Sequence, residues 1–439
     1  MADQTESVEL KFFQEIGRDF LARRTRALLA DEMRLGKTAQ ALTACDLIGA
    51  RSILVICPAI ARPTWREEAK VWAPRMADRM RVVSYDYARL HHKELTASRW
   101  DVLVLDEVHY LKSTEAQRTQ TILGRGGIAW SADRIWALSG TPAPNHAGEL
   151  WPLLRACGVI KTKYYDFINY FCNVDPDGKP FGTKTKHIPQ LRGILDNFMI
   201  RRRKSEVATE LPECSVYPYY IESSTEFLDL IRPVEGKRLA EQSRVLESKL
   251  RDLLAKTPKR RHMEVLENHI QEYATLRRVT GILKTPAIYD TIRFEIENGL
   301  VDKLVVFAYH RDPMVLLHQL LNQEAGINTE IIYGGTPEKK REAALRRFRL
   351  PKTRADSSKV MVAQIQAAGT AIDLSCAHQG IMLERDWVPG NNAQALERMG
   401  GYKQTQPITI RDVVLPGSVD EIISDVLNRK MRELSAIFD

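Results

Sequence analysis

No two cysteines of this 439-residue chain stand in a C-x-x-C pair. The six present, Cys45, Cys57, Cys157, Cys172, Cys214 and Cys376, are scattered, so neither a structural zinc site nor a disulfide framework is expected. A reducing, intracellular compartment is the expectation that follows: cytoplasm or nucleoid in a prokaryotic or viral setting, the nucleus in a eukaryotic one. Long apolar runs are also missing. None approaches the length of a membrane span, and no membrane partner is expected. The first residues, Met1-Ala2-Asp3-Gln4-Thr5-Glu6-Ser7, lack the basic start and apolar stretch of a secretory leader. Nor is there an excess of acid: 64 Lys and Arg against 56 Asp and Glu leave a net charge of +8, a balance that suits a polyanionic partner. What remains is 44% hydrophobic and 27% charged, a soluble globular composition, and the length suits two domains or a little more.

One short stretch organises the rest. The apolar run Ala27-Leu28-Leu29-Ala30 leads into a loop ending Gly36-Lys37-Thr38, and a helical pattern, Ala39 to Ala44, follows. This is the layout of a phosphate-binding loop. Gly36 admits the backbone to a phosphate, the amides of the new helix point at the anion, Lys37 reaches the β- and γ-phosphates, and the Thr38 hydroxyl can ligate Mg²⁺. The first Gly of the usual G-x-x-x-x-G-K-[ST] pattern is Asp31, so an ordinary strand-to-helix turn competes with this reading. Upstream, Leu10 to Leu21 has helical apolar spacing. Gln14 on that helix can read an adenine edge through its amide.

Ser52 to Cys57, closed by Pro58, reads as a buried parallel strand, and Arg81 to Tyr85 as another. Trp65, Glu68 and Trp72 on the helix between them read as packing. In Trp100 to His109, four apolar residues end in Asp106 and Glu107. Acids at the C-terminal edge of a parallel strand lie where open α/β sheets bind ligands. Asp106 can hold Mg²⁺, and Glu107 can orient or deprotonate an attacking water. A solvated acidic turn is the competing reading, weakened by a phosphate loop two βα units upstream. Ile135 to Leu138 is a further strand, ending in Ser139-Gly140-Thr141-Pro142; Ser139 and Thr141 can hydrogen-bond the acidic pair or a phosphate.

Asp31–Thr38, Asp106–His109 and Ser139–Pro142 together resemble the first three core motifs of superfamily 2 helicases. Phe13-Gln14, Ala30-Asp31-Glu32-Met33 before Leu-Gly-Lys-Thr, Lys112-Ser113, Ser-Gly-Thr-Pro-x-x-Asn ending at Asn145, and Glu149-Leu150-Trp151 narrow the resemblance to Swi/Snf-type DNA translocase ATPases. In that family Asp31 is ordinary, whereas Arg34 stands where Gly is usual. Phe198 to Val207, then Leu211-Pro212, resembles the segment linking the two motor lobes. Its four cations Arg201 to Lys204 read alone as a solvated basic turn, and the resemblance places them near DNA or at the lobe interface. Thr225 to about Leu283 is helical and charged, with one stripe of Leu246, Leu250, Leu253 and Leu254 before Lys256-Thr257-Pro258-Lys259-Arg260-Arg261 and another of Val265, Leu266, His269, Ile270 and Tyr273 after it. Two helices joined by a basic tip fit this pattern, because Pro258 cannot sit inside a helix.

Strand patterns recur at Lys303–His310, Thr329–Gly335, Lys359–Gln366 and Gln379–Glu384, with helices between, so a second parallel sheet is expected. Ala367 to Leu374 resembles the family's fifth motif, with Asp373 where Asn is usual. Gln394 to Arg398 leads into the sixth, which normally supplies two arginines three residues apart. Arg398 matches the first; the second, the arginine finger, falls on Gly401. Three accounts of Gly401 stay open: Lys403 or Arg398 supplies the charge, the enzyme is natively weak, or Gly401 is an introduced substitution. Pro416 to Leu434 resembles the family's closing helix, and Gly281 to Pro286 looks most like the compact annealing-helicase branch and its short prokaryotic or viral relatives.

The resemblance therefore implies an α/β protein of two RecA-like lobes with parallel sheets and a helical hairpin insertion. The expected division is lobe 1–205, linker and protrusion 206–285, and lobe 286–439. It implies ATP and Mg²⁺ held by Gln14, Leu35, Gly36, Lys37 and Thr38, with Lys37, Asp106, Glu107 and Arg398 catalytic and Thr38 and Asp106 on the metal. The implied partner is double-stranded DNA, branched or forked forms included, with a protein partner not specified. It leaves no accessory segment, so specificity would come from a partner or from DNA shape. The leading expectation is an ATP-dependent duplex-DNA translocase, impaired in hydrolysis by Gly401. A nucleotide-gated DNA-binding or recruitment module without useful turnover is the alternative, and an RNA helicase of the same superfamily a third.

Overall fold

The structure is a computed structural model that describes residues 9–208, 210, 212–222, 245, 248–249, 252, 270–368, 372–400 and 404–438. It divides into two compact units, one of residues 1–209 with 430–439, the other of 210–429. Each is built on a parallel sheet of six described strands.

The first sheet contains β1 (Arg26–Leu29), β2 (Ile53–Cys57), β3 (Met80–Ser84), β4 (Trp100–Asp106), β5 (Ala132–Leu138) and a short β8 (Met199–Ile200). Their order is β3-β2-β4-β5-β1-β8, and every pairing is parallel. β6 (Cys172–Val174) and β7 (Pro180–Thr183) form a separate antiparallel ribbon. The sheet is covered on both faces, which is why its strands read as unbroken apolar runs. Alternate residues feed opposite cores: Leu28, Leu54, Leu103 and Ile135 one, Leu29, Val55, Val104 and Trp136 the other. Helices α1 (Phe12–Ala22), α2 (Lys37–Leu47) and α3 (Arg62–Trp72) belong to this unit.

The second sheet runs β11 (Thr329–Ile332), β12 (Val360–Gln364), β10 (Leu304–Ala308), β13 (Gln379–Met382), β14 (Ile408–Val414), β9 (Cys214–Tyr220), again parallel throughout. β10, β11, β12 and β13 fall in the predicted runs. β14 has no counterpart in the sequence reading. β9 pairs with β14 over seven residues, from Cys214↔Ile408 to Tyr220↔Val414, although it lies inside the stretch 206–285 read as linker and protrusion. Residues 430–439, read with the second lobe, group with the first unit. The two lobes with parallel sheets are thus present as expected.

Of the hairpin expected over Thr225–Leu283, the helix Ile270–Glu297 is described. The first stripe, the basic tip Lys256–Arg261 and Val265, Leu266 and His269 of the second stripe fall outside the described residues. So do Gly369, Thr370 and Ala371 of the fifth motif, Gly401 and Lys403.

Candidate nucleotide site of the first unit

β1 delivers the chain into the loop 30–36, and α2 leaves it at Lys37. Gly36 is the N-cap, with φ 73° and ψ 38°, left-handed backbone that glycine adopts without cost. Thr38 is the second residue of the helix, beside the amides that the first turn leaves without helical partners. Leu35 is fully buried, and its carbonyl accepts from Gln14 Nε2 at 3.2 Å and Gln40 Nε2 at 3.0 Å. Gln14 also receives the Lys11 N–H on Oε1 at 2.9 Å, so this buried amide ties α1 to the loop. Lys37 Nζ donates to the carbonyls of Asp31 at 2.7 Å and Glu32 at 3.1 Å. Burial lowers its pKa, against the opposing pull of Glu107, Asp31 and Asp106. Those three acids are near enough to act on one ammonium, so the loop and the acidic box share one site.

Arg34 holds φ 64°, in the region L-residues avoid. The loop therefore takes left-handed backbone at the position where the resemblance led us to expect Gly.

Asp106 closes β4. Its Oδ2 accepts the Trp65 indole N–H at 2.8 Å, and its carbonyl accepts the Tyr85 hydroxyl at 2.7 Å. Burial, then the charge of Glu107, pushes its carboxyl up to about 6, with the Trp65 bond pulling the other way. Trp65, read from sequence as packing, is therefore a polar support of the acidic box. Glu107 follows at φ 51° and ψ 55°, a second non-glycine in left-handed backbone. Strain at a carboxylate beside a phosphate loop is a functional pointer. Ser139, fully buried, donates to Glu107 Oε2 at 3.4 Å and lies 3.2 Å from His109 Nδ1. His109 Nδ1 in turn lies 3.2 Å from Glu107 Oε2. Ser139 Oγ also accepts the Thr141 N–H at 3.2 Å, so the third motif reaches the acidic pair as its sequence suggested. Thr141 Oγ1 is buried with no hydrogen-bond partner among the described residues.

The basic run contributes more than sequence reading gave it. Arg202 grips Asp31, with Nε on Oδ1 at 2.9 Å and Nη2 on Oδ2 at 2.5 Å. Arg201 Nη1 donates to the carbonyls of Ala30 at 3.0 Å and Gly140 at 3.1 Å. These two cations brace the loop from within the first unit. A signal existed, because an acid replacing a loop glycine needs a cation, but the partner lies far along the chain. Further along, buried Glu149 ties Lys112 Nζ at 3.0 Å and Asn145 Nδ2 at 2.8 Å. Burial works against its charge, yet His146, Lys112 and Asn145 hold its carboxyl below the ordinary range.

In the second unit, Arg398 lies just past the helix Pro389–Leu396, and its carbonyl accepts the Leu374 N–H at 2.8 Å. Asp373 Oδ1 accepts from the Ser375 N–H at 3.1 Å and hydroxyl at 2.7 Å, closing a tight turn. Gly281 and Lys284, on the helix Ile270–Glu297, each face a carboxylate, Glu384 and Asp420. Lys284 is buried against Asp420 Oδ2 at 2.9 Å.

Among the described residues no three Asp, Glu, His or Cys side chains gather to ligate a bare ion. The donor set of one carboxylate, Asp106, and one hydroxyl, Thr38, fits Mg²⁺ held largely through phosphate oxygens and water. No described helix is long and apolar enough to cross a membrane.

Two family models match this chain: the SNF2-related domain over residues 75–230 and the helicase conserved C-terminal domain over residues 285–403. The SWI/SNF-related matrix-associated actin-dependent regulator of chromatin subfamily A-like protein 1 of Xenopus tropicalis is 26% identical over 453 residues, covering 96% of this chain and 44% of that protein. The human DNA annealing helicase and endonuclease ZRANB3 is 27% identical over 457 residues, covering 95% of this chain and 39% of that protein. The chain thus spans less than half the length of these relatives. The Sulfolobus solfataricus SWI2/SNF2 ATPase core in complex with dsDNA aligns over 99% of this chain and 97% of its own, at 19% identity and a TM-score of 0.43. With the two family models matched in order, the chain carries an SNF2-related domain followed by a helicase conserved C-terminal domain.

Proposed function

We propose that this chain is a duplex-DNA-dependent ATPase that translocates on DNA. The observation that carries the reading is the meeting, within one unit, of a glycine-capped phosphate loop with the acidic pair Asp106 and Glu107, all acting on Lys37. The triphosphate would exchange with the loop carbonyls for the Lys37 ammonium. Gln14 and Leu35 hold the loop in shape for it, with Gln14 also beside the adenine, and Gly36 and Thr38 offer backbone amides. Magnesium, held by Thr38 and Asp106, would offset phosphate charge. Glu107, steadied by Ser139 and His109, would align and deprotonate the attacking water. Arg398, from the second lobe, would support the γ-phosphate. We keep lobe 1–205, linker and protrusion 206–285 and lobe 286–439 as the working division. Duplex DNA, plain, forked or branched, would be bound through its phosphates, so its affinity would fall steeply with salt.

A second reading, a nucleotide-gated DNA-binding or recruitment module without useful turnover, is favoured by Gly401 at the finger position of the sixth motif. ATP hydrolysis with and without duplex DNA, in wild type and Gly401→Arg, separates the two. An arginine finger is worth roughly 10³–10⁵ in rate, so Gly401→Arg should raise DNA-stimulated turnover by at least about tenfold. Absence of DNA stimulation in both forms defeats the motor reading. Stimulation by duplex RNA and not duplex DNA would turn the assignment to an RNA helicase.

A further inference from the structure

The segment Phe198–Lys204 runs beside β1 and continues past its end. The Phe198, Ile200 and Arg202 carbonyls accept from Leu28 N at 2.8 Å, Ala30 N at 2.8 Å and Glu32 N at 3.0 Å, so the segment escorts the chain into the phosphate loop. Lys204 N then donates to Glu32 Oε2 at 2.7 Å. At the centre stands Asp31, 0% exposed, with a carboxylate where phosphate loops ordinarily have glycine. A buried carboxylate beside a triphosphate repels it, and in a low-dielectric loop that repulsion is strong.

We infer that Arg202 is the positioning residue that makes the loop compatible with a polyphosphate, by cancelling the charge of Asp31 and fixing its direction. The guanidinium takes both carboxylate oxygens and also donates from Nη2 to Gln40 Oε1 at 2.8 Å and from Nη1 to the Phe13 carbonyl. Gln40 closes the set, with Nε2 donating to Asp31 Oδ2 at 3.1 Å and to the Leu35 carbonyl at 3.0 Å. Asp31, Gln40, Leu35, Phe13 and Arg202 therefore form one network, and Gln14 joins it at the Leu35 carbonyl. Lysine cannot reproduce this fork, because it presents a point charge and not a planar pair of donors. The basic run thus serves the nucleotide, and not only an external polyanion.

The inference rests on reading Ala30–Thr38 as the phosphate site, and its test separates the two claims. The full chain is titrated with a fluorescent ATP analogue and Mg²⁺, with thermal unfolding as the folding control. Arg202→Ala should weaken binding by about tenfold or more, because a buried carboxylate is left uncompensated next to the ligand. Arg202→Lys should recover part of the loss. The double variant Asp31→Asn/Arg202→Gln, which removes both charges, should bind within about threefold of wild type, as pairs of neutral hydrogen-bonding groups can replace a buried ion pair. Arg202→Ala binding as tightly as wild type, or the double variant binding no better than Arg202→Ala, overturns the inference. Should Arg202→Ala not fold, the double variant is compared with Arg202→Gln alone, and equal affinities overturn it. A wild-type chain that binds no nucleotide overturns the functional reading as well.

Discussion

Trp65 donates its indole N–H to Asp106 Oδ2 at 2.8 Å, so a tryptophan on α3 sets the direction and the proton affinity of the carboxylate at the end of β4. Burial and Glu107 raise the Asp106 pKa to about 6, and the Trp65 bond opposes them. Trp65→Phe keeps the packing and removes the donor. The carboxyl then holds its proton to higher pH, and the acidic limb of ATP hydrolysis moves up. A hydrogen bond to a charged group is worth about 1.5–3 kcal/mol and one pKa unit about 1.4 kcal/mol, so with partial replacement by water the limb should move by about one unit. The kcat/KM for MgATP from pH 5.5 to 8 measures it. A uniformly lower profile with an unmoved limb would leave Trp65 a packing residue only.

The same carboxyl links stability to pH. Folded Asp106 releases its proton at about 6, against an ordinary value of 3.8. Between those values the folded chain retains a proton the unfolded chain has lost, so this group's contribution to stability falls as pH rises and stays low above the upper value. Asp106→Asn removes the burden. At pH 7.5 it should raise the unfolding free energy by about 2 kcal/mol, with the gain shrinking toward pH 4.5, while turnover is lost. Urea unfolding at both pH values checks it, and a gain equal at both would point to some other cause.

How far the sequence could carry this depends on where each residue finds its partner. Gly36, Lys37 and the acidic end of β4 declare themselves through local spacing, because a phosphate loop and a strand-end acid are made by neighbours in sequence. The cations at 201 and 202 could not be placed that way. Four consecutive cations suit a solvated or DNA-facing surface equally well, and Asp31 and Ala30 reach Arg202 and Arg201 only through the β1–β8 pairing. Trp65 was hidden for a similar reason, since an indole on an apolar face reads as core until its N–H is traced. β9 lay in a stretch read as linker by resemblance; its run Cys-Ser-Val-Tyr-Pro-Tyr-Tyr holds a proline, which sheets tolerate at an edge, and β9 is the edge strand beside β14.

Arg34 is the residue the loop accommodates least easily. At φ 64° a side chain crowds its own carbonyl, a cost of about 1–2 kcal/mol that glycine escapes. Arg34→Gly regains that strain and gives back some unfolded-state freedom, so a net stabilisation of about 0.5–1 kcal/mol is expected. Arg34→Ala, which keeps a Cβ, should give none of it. Unfolding midpoints of the three proteins decide the matter, and equal behaviour of the Gly and Ala forms would show that the side chain and not the backbone is responsible.

Gly281 should reverse the usual rule for glycine in a helix. In the interior of Ile270–Glu297 a Gly→Ala change ordinarily stabilises by about 1 kcal/mol. Here an added Cβ would lie 2.7 Å from Glu384 Oε1. That carboxylate cannot simply swing aside, because it accepts from Tyr309 N at 3.0 Å and His310 N at 2.8 Å and pairs with His310 Nδ1 at 2.7 Å. Displacing it leaves the two amides just past the end of β10 unsatisfied, so Gly281→Ala should destabilise by about 2 kcal/mol. The sign is tested by a double-mutant cycle. In a Glu384→Ala background the obstruction is gone, and Gly281→Ala should then stabilise by about 1 kcal/mol. A penalty that persists without Glu384 would place the crowding elsewhere on the helix.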